Sequence, residues 1–398
     1  MHDSNPAPRP KVLAYYFPDW HVDPRNEQWF GPGWTEWELV KAAGPRFDGH
    51  SLPRVPRDGY VDEADPEVAA KQIDLARRNG IDGFLVDYYW YDDGGYLNRA
   101  LDDGLLGAAN TQDMTFALMW ANHELVDIFP LSEPRPEAVR QLKAGSIDRP
   151  AFERMAKHVI EHYFSRDNYL KVDGKPWFSV YEVGGLIKGL GGVKQTADAL
   201  RWFREQTVLA GHPGLHLDIV VWGFAVLPTG IAVPDPGELI DRLGFESATS
   251  YVWVHHVDIA SFDFPRASVP ALRQAVFAEY EKYAQFKIPF YPNVTVGWDS
   301  SARTDQARSF ERGRYPWFPI WEIDPDEFRK GLEAARDFLS RHQPEFPVVT
   351  INAWNEWTEG SYLLPDTQHG DAVIRSVLGV FGPIESHSHE PRDAGERA

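Results

Sequence analysis

A chain of 398 residues, 43% of them hydrophobic, is long enough to bury a large core, either as one barrel-type domain or as two smaller ones. Its formal net charge of −19 repels nucleic acid and anionic membrane surfaces, so a neutral partner fits better. The absence of cysteine excludes disulfides, thiolate metal sites and a cysteine nucleophile.

The first residues, M-H-D-S-N-P-A-P-R-P, carry neither the basic start nor the apolar run of a secretory signal. No stretch approaches the length of apolar residues that a membrane span needs. The chain as given therefore reads as soluble and cytoplasmic, with a flexible segment over 1–10. Strand-length apolar runs follow at 12–17, 81–89, 114–120, 176–182, 216–224, 247–252, 288–296 and 346–353. Helical patterns lie between them at 66–79, 97–106, 151–164, 195–209, 236–243, 268–285, 325–341 and 371–381. The first is the clearest, with Asp65 as cap, Pro66 at the first helical position and Gly80 as stop. Gly-Gly pairs at 94–95, 184–185 and 191–192 read as turns. The polar, charged stretch 383–398 reads as a disordered tail.

Eight strands each followed by a helix predict an α/β fold, a (β/α)₈ TIM barrel over 11–382, whose active site gathers at the C-terminal strand ends. Those ends carry Tyr16 and Trp20, Asp87, Tyr89 and Trp90, Trp120 and Asn122, Glu182, Trp222, Tyr251, Trp298, and Trp354 with Asn355. Three connections, 18–64, 123–148 and 298–323, are long enough to have a function of their own over the barrel mouth. The first and third are rich in rings, including Trp29, Trp34 and Trp37, then Tyr315, Trp317 and Trp321. Such rings either stack on the apolar faces of sugars or anchor the loops to the core.

After the last strand the chain reads N-A-W-N-E-W-T-E-G at 352–360, with Glu356 and Glu359 three apart. Acidic residues there suit a solvated helix start. They also suit a catalytic pair, because glycoside cleavage with retention needs two carboxyls about 5–5.5 Å apart. Residues three apart on a helical turn place their β-carbons at about 5–6 Å.

At these residues the sequence resembles glycoside hydrolase family 99 and its WbsX-like relatives, whose motif N-E-W-x-E-G stands here at 355–360. A-Y-Y-F-P-D-W at 14–20, G-W-T-E-W at 33–37, D-P-E-V at 65–68, G-I-D-G-F at 80–84, Y-Y-W at 88–90 and M-W-A-N at 119–122 extend the resemblance over roughly 11 to 380. It implies a metal-independent, cofactor-free barrel that cleaves glycosidic bonds with retention. It makes Glu356 the base and Glu359 the acid, and places Trp34, Glu36, Trp357 and the strand-end residues around the substrate. The base would deprotonate the sugar's own 2-hydroxyl, which attacks C1 and gives a 1,2-anhydro sugar. Only 1,2-trans glycosides, such as α-mannosides and α-L-rhamnosides, allow that attack. Thr358 departs from the histidine of the endo-α-mannosidases, and His123-Glu124 departs from the E-N of many WbsX-like chains.

His255, His256 and Asp258 raise a metal site, but adjacent residues on a strand point to opposite faces. No phosphate-cradling glycine motif argues for a nucleotide. A glycosyltransferase of polysaccharide biosynthesis and a non-catalytic carbohydrate-binding barrel remain as alternatives, and the oligomeric state is open.

Overall fold

The computed structural model describes residues 8–227 and 229–384. The expected tail from 385 onward and the first seven residues of the expected flexible start lie outside the described residues. Eight strands line up in chain order: β1 (Lys11–Tyr16), β2 (Gly83–Tyr91), β3 (Thr115–Trp120), β4 (Lys175–Val180), β5 (His216–Val220), β6 (Ser247–Thr249), β7 (Phe290–Tyr291 and Asn293–Thr295) and β8 (Val348–Asn352). All pair in parallel with their neighbours, and β8 returns to β1, with Lys11 opposite Val348. The sheet counts as nine parallel pieces because Pro292, which has no N–H to give the ladder, splits β7. One half pairs with β6 (Thr249 opposite Tyr291), the other with β8 (Asn293 opposite Thr350), and together they close the barrel.

The helical layer follows the sequence pattern, with Pro66–Arg78, Arg149–Val159, Val193–Leu209, Gly237–Leu243, Val269–Tyr283, Pro325–His342 and Ala372–Phe381 after seven of the strands. Local chemistry sets several starts: Asp65, Asp148 and Asp324 accept hydrogen bonds from Glu67 N, Ala151 N and Asp326 N, each with proline in the first turn. After β2 the expected helix is a wider, π-helical segment, Ala100–Leu105.

Three expected strands stop early, at Val180, Val220 and Thr249, because the residues beyond them leave the ladder for the barrel mouth. Two short helices, Pro24–Phe30 and Trp37–Ala42, break up the first long connection. The pair Gly184-Gly185 is not a turn but lies inside the helix Val183–Leu190. A Cβ there would stand 2.6 Å from Ile231 or 2.8 Å from the Glu182 carboxylate, so close packing explains these glycines. Gly191 and Gly192 do end that helix, at φ +87° and +126°. Gly94 and Gly95 open a short hairpin arm, Gly94–Tyr96, against β2.

Candidate active site

A cleft opens at the C-terminal ends of the strands. The period of two along a strand decides which side chains reach it. On β2, Asp87 and Tyr89 line the cleft, whereas Tyr88 packs on Tyr163 and Trp90 on His158 of the outer helical layer. Register carries the same division to β3, where Met119, opposite Asp87, lines the cleft and Trp120, opposite Tyr88, packs on Phe152.

The two glutamates sit on a hairpin rather than a helical turn. Asn355–Glu356 pairs antiparallel with Ser361–Tyr362, and residues 357–360 make the turn. Gly360 closes it at φ +63°, and a Cβ there would lie 2.9 Å from the Arg54 guanidinium carbon and 3.0 Å from Asp299 Cβ, which accounts for the glycine of the motif. Asn355 fixes one side of the hairpin: its side chain accepts from Phe17 N at 2.8 Å and donates to Phe17 O at 2.8 Å and Glu63 at 2.7 Å. On the other side, Asp299 N donates to Glu359 O at 2.5 Å, and the Asp299 carboxylate is held by His50 and Arg54.

One guanidinium ties the carboxylates together. Arg303 donates to Glu359 at 2.8 Å, to Glu356 at 3.3 Å and to Glu36 at 3.0 Å. Tyr315 donates to the same Glu359 oxygen at 2.5 Å, and Thr358 Oγ1 lies 2.5 Å from Glu36 and 2.9 Å from Glu356. Burial pushes the Glu356 carboxyl well above the usual range, against the pull of Arg303 and with repulsion from Glu359 adding to it. Glu359 is raised for the same reason, less far, with Arg303 and Tyr315 opposing. Asp19 is raised by burial and by the adjoining Glu36, and Asp87 by burial, opposed by the hydrogen bond from Tyr251 at 2.8 Å. His123, also lining the cleft, is pushed down to about 4 by burial and faces it as a neutral ring.

Four polar atoms of cleft-lining residues are buried without a partner among the described residues: Asp87 Oδ1, Trp298 Nε1, Arg303 Nε and His255 Nδ1. Acceptors and donors interleaved with the rings of Phe17, Trp34, Tyr89 and Phe129 suit a polyhydroxylated ligand with apolar faces.

Of the catalytic and substrate-binding residues expected from the sequence, the structure brings Glu356, Glu359, Trp34, Glu36, Asp87, Tyr89, Tyr251 and Trp298 to the cleft, where Tyr315, His123, Glu124 and His255, noted in the sequence for other reasons, also line it. The others stand behind it. Tyr16, Trp90 and Trp120 face the helices by strand parity. Trp354 donates to Gln72 at 2.8 Å, and Trp357 stacks on Tyr362 at 3.8 Å. Trp20 packs on Trp37 and donates to Asn355 O at 2.8 Å. Trp222 donates to Tyr181 O, Asn122 pairs with the Glu182 backbone at 2.7 and 2.8 Å, and Asn355 ties the hairpin to β1. Glu182, pushed up to about 7 by burial, accepts from Ile231 N at 2.6 Å. Of the histidines weighed for a metal, His255 meets Tyr181 and His256 meets Ser250, and no group of three potential ligands assembles among the described residues.

Sequence reasoning missed Arg303, Asp19 as a partner of Glu36, and the wall formed by Leu125, Val126, Ile128 and Phe129. Arg303 lies in a connection whose length was itself a signal, but nothing in its neighbours distinguishes it from the other arginines of that loop.

The family model described as "Glycosyltransferase WbsX" matches residues 12–377. Two curated relatives, both uncharacterized WxcX proteins of Xanthomonas campestris strains, are 28% identical over 372 and 380 residues. Each alignment covers 91% of this chain and 48% of the relative, so the chain spans about half the length of the curated relatives it matches. Among solved structures, a glycoside hydrolase-like protein aligns with a TM-score of 0.61 at 13% identity over 96% of this chain and 97% of its own. The GH99 endo-alpha-mannosidase from Bacteroides thetaiotaomicron aligns at 0.51 with 15% identity over 93% and 97%. These likenesses show the barrel fold.

Proposed function

The chain belongs to the WbsX family, the family 99-like group, and from that premise we propose that it is a retaining glycoside hydrolase. Its substrate in this reading is a 1,2-trans glycoside of the α-mannoside or α-L-rhamnoside type within an oligo- or polysaccharide. The observation that carries it is the single Arg303 guanidinium holding both glutamates of N-E-W-T-E-G at the wall of a cleft rich in rings and unpaired polar atoms. Glu359 gives its proton to the leaving oxygen as the C1–O bond breaks. Glu356 takes the proton of the sugar's 2-hydroxyl, whose oxygen attacks C1 and closes a 1,2-anhydro ring. Water, losing a proton to Glu359, opens the ring at C1 while Glu356 returns its proton to O2, so the configuration is retained and both carboxyls are reset. The steps call for neither metal nor cofactor, and the partner is a carbohydrate.

Substrates blocked at O2 test this route. A 2-O-methyl or 2-fluoro glycoside lacks the internal nucleophile, so neither turnover nor a mass increase of the intact protein is expected. An ester on Glu356 after incubation with a 2-fluoro glycoside would replace the anhydro route by an ordinary double displacement. The family's description favours a second reading, transfer from a sugar nucleotide. Calorimetry separates the two, since tight sugar-nucleotide binding would support transfer.

A further inference from the structure

The contacts of Thr358 call for more protons than its single hydroxyl can supply. Its Oγ1 lies 2.5 Å from Glu36 Oε2 and 2.9 Å from Glu356 Oε1. A hydroxyl has one proton to donate and otherwise accepts. Two ionised carboxylates cannot both be satisfied by it, so one of them must carry a proton and donate to the threonine oxygen. Arg303 Nη2 touches the same two oxygens, at 3.0 and 3.3 Å, which leaves the pair one cation short of full ionisation. Asp19 neighbours Glu36, whose charge helps to raise the Asp19 carboxyl after burial, and Asp19 accepts from Asn26 at 2.9 Å.

We propose that Thr358 is a proton relay between Glu356 and Glu36, and that this relay readies Glu356 as the base. The inference rests on the hydrolase reading and deepens it. Glu356 faces Arg303, Glu36 and Glu359 directly, with Tyr89 and Tyr251 across the cleft, and burial favours its carrying a proton. Glu356–OH gives that proton to Thr358 Oγ1 as Thr358 gives its own to Glu36 Oε2. The products are an ionised Glu356, an unchanged threonine hydroxyl and a protonated Glu36, so no charge leaves the cluster. Glu356 can then accept the substrate's 2-hydroxyl proton although burial works against its ionisation. Thr358 is thus a positioning and proton-sharing residue, and Glu36, expected from the sequence to bind substrate, serves the base instead.

The test compares Thr358→Val, which keeps shape and loses the hydroxyl, with Thr358→Ser, which keeps the hydroxyl. T358S is expected within about threefold of wild type, whereas T358V should lose about tenfold or more in kcat with little change in KM, a modest share of what acid–base catalysis contributes. Because Glu356 must then ionise unaided, the acidic limb of the T358V profile should move to higher pH. Equal T358V and T358S profiles would overturn the relay while leaving the hydrolase in place. A second readout does not depend on turnover: the infrared difference spectrum between wild type and T358V near neutral pH should show a changed protonated-carboxyl band. Identical spectra would overturn the relay even if no glycoside is ever cleaved, a result that would count against the hydrolase reading alone.

Discussion

Replacing Glu359 with glutamine is expected to lower kcat/KM by about 10²–10⁴-fold on a glycoside whose leaving group needs a proton. The amide keeps the size of the side chain and can still receive the hydrogen bonds from Arg303 and Tyr315 on its oxygen, so the hairpin should hold. What it loses is the acid. With an activated aryl leaving group, which departs without protonation, most of that loss should vanish. Glu356→Gln should instead impair both classes of substrate alike, because the internal nucleophile is needed whatever leaves. Steady-state kinetics over a series of leaving groups distinguishes the two variants. Equal sensitivity to the leaving group would contradict the division of roles.

Arg303→Met should have a comparable effect by another route. Arg303 is the only cation in contact with Glu36, Glu356 and Glu359 among the described residues, and all four side chains are buried. Without it, burial of Glu356 and Glu359 acts unopposed and favours their protonated forms further, so Glu356 gives up its proton less readily and kcat/KM falls by about 10²-fold or more, the contribution expected of acid–base catalysis. The acidic limb of the pH profile should move upward. Breaking a buried charge group costs stability as well, on the order of 3–5 kcal/mol when a partner charge is left alone. The sign of its pH dependence follows from the raised carboxyls: protonated at low pH they need no cation, so the variant should approach wild-type stability there. It should fall behind as pH rises through their folded pKa values. Thermal melts across pH check this, and a deficit that is constant with pH would contradict it.

The barrel was legible because its strands and helices differ in period and because aspartate and proline mark the helix starts at 65–66 and 324–325. The acidic pair was legible from N-E-W-T-E-G, but its presentation on a hairpin was not. A three-residue spacing fits a turn of either kind, and Gly360 at positive φ decides between them only with Arg54 and Asp299 packed against it. The tryptophans show the limit most clearly. Trp90 and Trp120 sit at strand ends, yet parity sends both to the helices, and Asp87 and Tyr89 could have fixed that parity on β2 from the sequence alone, while Trp354 lies beyond the end of β8 and reaches Gln72 of the helix Pro66–Arg78. Arg303 was hidden for a different reason. Its role depends on three carboxylates brought from 267, 53 and 56 residues away, which no local pattern announces.

The most direct test of the account is the proton NMR spectrum of the first sugar released from a panel of defined glycosides, recorded before mutarotation. The account predicts that α-mannosides or α-L-rhamnosides are cleaved, that their 1,2-cis counterparts are not, and that the first anomer formed keeps the configuration of the substrate. Release of the inverted anomer, or cleavage of 1,2-cis and 1,2-trans glycosides alike, would contradict it.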